Sequence, residues 1–282
     1  MLKLTPLFSL LLLLSHAWLS AADVSLAPAP SASPSATKNA DPAAAISTAS
    51  SSAAVAPAVD PYWPADGLFP VEGKTSSWTG FRATNLRRRA LFATQRAEDQ
   101  NAIVFFGDSI TEGWKTLTQD FAELGVKVAN RGIGGDTTPN AVYRLQDDVL
   151  SLQPKAMVVL IGTNDLGEHT PPSQIAQNLG VLHQRIRTAY PAIPIAWCLV
   201  MPRRGSDTYP ERIRDLNARI VELARSDPHS TVCDTFTPLA LEDGSSKPEA
   251  FNPDRLHLNA TGYATWRTAL LPIVSGWKLP TK

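Results

Sequence analysis

The chain has 282 residues, of which 44% are hydrophobic and 18% charged, with 26 Lys and Arg against 26 Asp and Glu. A formal charge of zero speaks against a general nucleic-acid binder, which needs a basic excess to neutralise phosphates. No run reaches the roughly 18 consecutive apolar residues of a bilayer-spanning helix, and two cysteines are too few for a disulfide scaffold or a Cys-rich zinc site.

The N-terminus reads as a secretory signal peptide over residues 1–22. Lys3 gives a positive start, Leu7 to Leu14 is apolar apart from Ser9, and Ser20-Ala21-Ala22 supplies the small residues of a cleavage site. No cysteine follows the apolar run, so lipid attachment there is excluded. Residues 23–60 hold 13 Ala, 8 Ser and 5 Pro and no aromatic residue. Such a segment cannot bury enough apolar surface to offset its chain entropy, and it is expected to be a disordered tether. It also accounts for the low charged fraction. The folded domain is expected over 61–282, long enough for one sizeable core. Export to the periplasm or the cell exterior follows, with no stable membrane insertion of the mature chain.

Past Pro61 the apolar period changes repeatedly. A helix is expected near 83–95, before the first strand. Short apolar runs at Ile103–Phe106, Val126–Ala129, Met157–Ile161, Ile195–Val200 and Thr231–Cys233 suit strands buried on both faces. Between them, Val142, Leu145 and Val149 recur at helical spacing. So do Ile175, Leu179, Leu182 and Ile186, and so do Ile213, Leu216, Ile220 and Leu223. Asn259 suits the N-cap of a last helix through Leu270. Alternating short strands and helices predict an α/β fold with three layers, α/β/α, around a parallel sheet.

Ligands of such sheets bind beyond the carboxyl ends of the strands. The first strand delivers Gly107-Asp108-Ser109 there, the second Asn130 through Asp136, and the third Gly162-Thr163-Asn164-Asp165. Asp254 and His257 open the last helix. A serine hydroxyl becomes a nucleophile when imidazole takes its proton, and a carboxylate on the other ring nitrogen fixes the tautomer. Asp254 and His257, three apart, can share one turn and face Ser109. A developing oxyanion needs donors, which glycine backbone N–H groups and an Asn amide provide. Taken singly, each element has a plainer reading. Gly-Asp-Ser is usually a turn, Asn164 could cap a helix, and Asp254 with His257 could be a surface pair. Gly132 to Gly135 lacks the dinucleotide-binding spacing, and no Gly-x-Ser-x-Gly elbow occurs.

Together these blocks resemble the SGNH/GDSL hydrolase family. Phe106 through Trp114 is similar to its first block, and Asn130 through Thr137 to its second. Gly162-Thr163-Asn164-Asp165 is similar to its third, and Asp254-x-x-His257 followed by Leu258 through Tyr263 to its last. The second block and Tyr143-Arg144-Leu145 resemble the platelet-activating-factor acetylhydrolase catalytic-subunit branch and its bacterial relatives. The resemblance runs from about 102 to 270. It implies a five-stranded sheet in the flavodoxin-like order 2-1-3-4-5. It also implies a nucleophile at Ser109, a general base at His257, and Asp254 orienting that base. The oxyanion hole would be built from the Ser109 and Gly135 N–H groups and the Asn164 side chain. The implied reaction is ester hydrolysis through an acyl-serine, with no metal or organic cofactor. Asp108 and Asp165 are expected to brace their loops.

The expected function is a secreted serine esterase for small acyl esters, acetyl above all, on a small-molecule or polysaccharide substrate. The alternatives are a lipid hydrolase of lysophospholipase or thioesterase type, an acyltransferase, and a non-catalytic carbohydrate-binding module on the same fold. His183 and His229 are expected at the surface, and His169 either there or in the pocket. Trp114 either walls the acyl pocket or packs in the core. Arg203 and Arg204 meet an anionic substrate or solvate a loop. Cys198 and Cys233 fall on neighbouring parallel strands, where disulfide geometry is rare, so two buried thiols are expected.

Overall fold

Short runs of β-branched and aromatic residues, closed by Gly or polar segments, become five strands: β1 (Ile103–Gly107), β2 (Val128–Gly132), β3 (Ala156–Leu160), β4 (Ile195–Cys198) and β5 (Ser230–Cys233). All pair in parallel, in the order β2-β1-β3-β4-β5. The computed structural model describes residues 60–204 and 209–279. The expected signal peptide, and all of the expected tether except Asp60, lie outside the described residues.

Among the described residues, eight α-helices connect and flank the strands: α1 (Phe81–Gln95), α2 (Ser109–Glu112), α3 (Leu117–Asp120), α4 (Thr138–Asp148), α5 (Thr163–Gly167), α6 (Pro172–Ala189), α7 (Tyr209–Arg225) and α8 (Ala260–Gly276). The two-residue period of the strands divides their side chains between two cores. Val104, Phe106, Met157, Val159, Ile195 and Trp197 pack against the apolar stripes of α4, α6 and α7. Ile103, Phe105, Val158, Leu160, Ala196 and Cys198 face the other way, onto Trp266, Leu270 and Val274 of α8. Each large side chain so buried contributes roughly 1.5–3 kcal/mol of transfer free energy. This is the three-layer α/β/α arrangement and strand order expected from the sequence.

Two strand boundaries shift for identifiable reasons. β2 runs to Gly132 rather than stopping at Ala129, because it is an edge strand and tolerates Asn130 and Arg131 in the ladder. The Arg131 guanidinium is buried against the Phe92 ring and paired with Asp99 at 2.7 Å. β4 ends at Cys198, two residues early, because the Asn217 side chain takes both the N–H and the carbonyl of Val200, at 2.7 and 2.9 Å. The last helix also runs past Leu270, through Pro272, to Gly276, and Asn259 caps it by accepting the Gly262 N–H at 3.2 Å.

The register sets where the strands stop. Gly107 pairs with both Gly132 and Leu160, so β1, β2 and β3 end level with one another. Their outgoing loops therefore share one rim. Cys198 and Cys233 lie opposite each other on β4 and β5, both buried and both free thiols. Among the described residues, no helix is long and apolar enough to cross a membrane.

Candidate active site

Asp108 leaves β1 in extended conformation, and its carboxylate accepts the Ile110 N–H at 2.9 Å, which starts α2 at Ser109. Gly107 is required just before this turn, since a Cβ there would stand 2.2 Å from the Leu160 carbonyl oxygen. Ser109 is thereby held at the rim. From the far end of the chain, an antiparallel bridge between Phe251 and Leu258 closes a short loop that carries Asp254 and His257. The Asn252 N–H donates to the His257 carbonyl at 2.8 Å, and Arg255, at a left-handed φ of 57°, turns the chain back. Asp254 Oδ1 then accepts the N–H groups of Leu256 and His257, both at 3.0 Å.

Across 148 residues of sequence, His257 Nε2 meets Ser109 Oγ at 2.8 Å. Its other nitrogen, Nδ1, lies 2.6 Å from Asp254 Oδ2. Burial opposes ionisation of Asp254, but the His257 and Leu256 hydrogen bonds outweigh it and hold the carboxyl at about 2. A carboxylate at Nδ1 selects the tautomer with the proton on Nδ1, leaving Nε2 free to accept from the serine hydroxyl. The structure thus brings Ser109, His257 and Asp254 into one hydrogen-bonded line.

The glycine loop after β2 folds over the same place. Gly135 adopts φ +81°, a left-handed conformation that favours glycine, and a Cβ on its neighbour Gly134 would lie 3.8 Å from Ser109 Cβ. Four contacts fix this loop. The Ile133 N–H donates to the Gly107 carbonyl at 3.0 Å. The Gly134 N–H donates to Glu112 Oε2 at 2.7 Å. The Asp136 carboxylate receives Arg144 Nε at 2.8 Å, and the Asp136 carbonyl receives Asn164 Nδ2 at 2.9 Å. A carbonyl can only accept, so this last contact fixes which end of the amide is nitrogen. It leaves the second N–H of Asn164 for another acceptor. The Asp136 carbonyl thus ties the Asn164 side chain to the glycine loop that lies beside Ser109.

Sequence reasoning gave Glu112 and Arg144 no role. Arg144 is fully buried. It pairs with Asp136, donates to the Gly107 carbonyl at 3.0 Å and stacks on Phe106 at 4.3 Å. The one available signal for Glu112 was its spacing of three from Ser109, which puts both on one helical turn.

Asp108 and Asp165 brace loops. Asp165 accepts the Thr138 N–H with both oxygens at 3.0 Å, capping α4 from a different loop. Burial pushes the Asp108 and Asp165 carboxyls each up to about 7, and that of Asp136 up to about 6 despite Arg144. Trp114 is a core residue, packed at a tilt against Trp266 with ring centroids 4.7 Å apart and donating to Asp120 at 2.6 Å. His169 and His229 are exposed. His183 differs from its expected surface place: it is mostly buried and bonds Asp227 at 2.9 Å. Arg203 donates to the Thr163 carbonyl at 3.0 Å, beside Asn164, and Arg204 hydrogen-bonds through its backbone to Arg255.

A model of the GDSL-like lipase/acylhydrolase family matches residues 105–265, more than half of the chain. The chain belongs to this family. That makes it a serine ester hydrolase. Among its relatives, the platelet-activating factor acetylhydrolase IB subunit alpha1 of Pongo abelii is 29% identical over 184 residues. The alignment covers 61% of this chain and 75% of that protein. Among solved structures, the lipase/acylhydrolase of Enterococcus faecalis superposes with a TM-score of 0.54 at 26% identity, covering 65% of this chain and 99% of the other. An acetyl xylan esterase shares the fold, with a TM-score of 0.51 at 23% identity, over 61% of this chain and 99% of its own.

Proposed function

We propose that this GDSL acylhydrolase is an exported esterase that removes small acyl groups, acetyl above all, from carbohydrate. The observation that carries the catalytic part is the line from Asp254 through His257 to Ser109, at 2.6 and 2.8 Å. Ser109 Oγ attacks the ester carbonyl carbon while its proton passes to His257 Nε2. Asp254 stays ionised and steadies the imidazolium through Nδ1–H. The tetrahedral oxyanion is held by the N–H groups of Ser109 and Gly135 and the free N–H of Asn164. His257 then gives its proton to the departing alkoxide, leaving an acyl-serine. A water molecule, deprotonated by His257, attacks this intermediate, and Ser109 Oγ leaves with the returned proton.

Two similar proteins are named for acetyl-ester hydrolysis, the platelet-activating factor acetylhydrolase subunit and the acetyl xylan esterase, and that supports a small acyl group. The signal-like residues 1–22 and the tether-like 23–60, ahead of an esterase domain over 61–282, support a substrate outside the cytoplasm. The test is an initial-rate series on p-nitrophenyl esters of increasing chain length, run beside acetylated xylo-oligosaccharides, with organophosphonate labelling of Ser109. Labelling and a maximum at acetyl, with acetate released from the oligosaccharides, are expected. Rates that climb with chain length would replace this reading with a lipid hydrolase.

A further inference from the structure

The chain ahead of α1 crosses the rim of the site. Ser77 donates both its N–H and its hydroxyl to Glu168 Oε1, at 2.7 and 2.8 Å, and Glu168 directly follows α5, which bears Asn164. One residue on, the Trp78 indole lies against the glycine loop. A Cβ built on Gly135 would meet Trp78 Cε3 and Ser76 Oγ, each at 3.3 Å. Residues 76–78 thus touch the supports of both the Gly135 and the Asn164 donors.

Trp78 is nevertheless 54% exposed, one of few large apolar side chains so open among the described residues. An indole held by its neighbours yet left open to water is placed to receive a ligand. Its surroundings say of what kind. The Trp78 backbone N–H donates to Ser76 Oγ at 3.3 Å, and the Ser77 hydroxyl donates to Glu168 at 2.8 Å, so hydroxyl and carboxylate groups flank Trp78 along the chain. An acyl chain would call for continuous apolar lining. A pyranose ring has one face of C–H groups and an edge of hydroxyls, and it suits an exposed indole with a hydroxyl and a hydroxyl–carboxylate pair next to it in the chain.

We infer that Trp78 is a positioning residue for the sugar that carries the scissile ester, stacking on it while the carbonyl enters the site at Ser109. This role rests on the carbohydrate-esterase reading of the same site.

The experiment compares wild type, Trp78→Ala and Trp78→Phe on acetylated xylo-oligosaccharides and on p-nitrophenyl acetate. Trp78→Ala is expected to lose roughly tenfold more kcat/KM on the oligosaccharide than on the aryl ester. Most of that extra loss should lie in KM, and Trp78→Phe should restore much of it. Equal losses on both substrates would reduce Trp78 to a brace of the glycine loop and overturn the inference. So would a selective loss on longer acyl chains, which would make Trp78 part of the acyl site. If wild-type protein releases no acetate from any acetylated carbohydrate, the carbohydrate reading fails as well. If it does and Trp78→Ala shows no selective loss, only the platform fails.

Discussion

Asn164 donates one amide N–H to the Asp136 carbonyl at 2.9 Å, so a candidate oxyanion donor also holds in place the loop that carries another. Asn164→Ala removes both functions. The direct donor is expected to cost about 10²–10³ in kcat, the typical effect of one such group. The lost loop contact should lower the melting temperature as well, since a net hydrogen bond contributes about 1 kcal/mol. KM should move little where it tracks affinity. Steady-state kinetics and thermal melts on the same preparation separate the effects. A lowered melting temperature with normal turnover would leave Asn164 as a brace alone.

Ser109→Ala should abolish ester hydrolysis and organophosphonate labelling while the melting temperature stays near that of wild type. The hydroxyl is the only covalent centre in the mechanism. Turnover within a few-fold of wild type would disprove it.

Arg144 and Asp136 form a fully buried pair beneath the glycine loop, with Nη2 to Oδ2 at 2.7 Å. Arg144→Met leaves the Asp136 carboxylate without its partner, and such losses cost about 3–5 kcal/mol. Denaturant titration is expected to show a loss of that order. The surviving folded fraction should turn over more slowly, because the Gly107 carbonyl and the loop lose a common support. A change below about 1 kcal/mol would mean that the pair stabilises far less than its geometry implies.

Burial pushes the Asp108 carboxyl up to about 7, well above the roughly 3.9 of an unfolded aspartate. Between those values the folded state binds more protons than the unfolded state, so stability falls as pH rises through that window. Asp165, at about 7, and Asp136, at about 6, act in the same direction. Melting temperatures are therefore expected to fall from about pH 4 to about pH 7. Asp108→Asn keeps the acceptor for the Ile110 N–H but cannot ionise, so its melting curve should be flatter over this range. Parallel slopes for wild type and variant would refute the assignment to Asp108.

The strands and the polar blocks at their ends were legible because each is a local pattern. β1 and β3 are nearly continuous apolar runs, and few residue types can serve as nucleophile, base or oxyanion donor. Glu112 and Trp78 were not legible in the same way. A glutamate on the helical turn of the serine looks like any solvated helix residue until the glycine loop is folded onto it. Trp78 sits in a segment with no periodicity, and its nearness to Gly135 arises only from how the chain enters α1. The end of β4 departs from the apolar pattern for a related reason. Val200 is apolar enough for a strand, but a distant Asn217 claims its backbone groups.

Asp254 and His257 belong to one short loop that closes on itself through Phe251 and Leu258, whereas Ser109 arrives from the opposite end of the domain. The proposed acid–base couple is thus a cassette whose internal geometry is set locally, and only its docking onto the serine depends on the whole fold. A mutation that loosens the domain should separate the cassette from Ser109 before it separates His257 from Asp254. In proton NMR the two events have different signatures. The strongly deshielded Nδ1–H resonance of the couple should persist in variants that have already stopped reacting with organophosphonate.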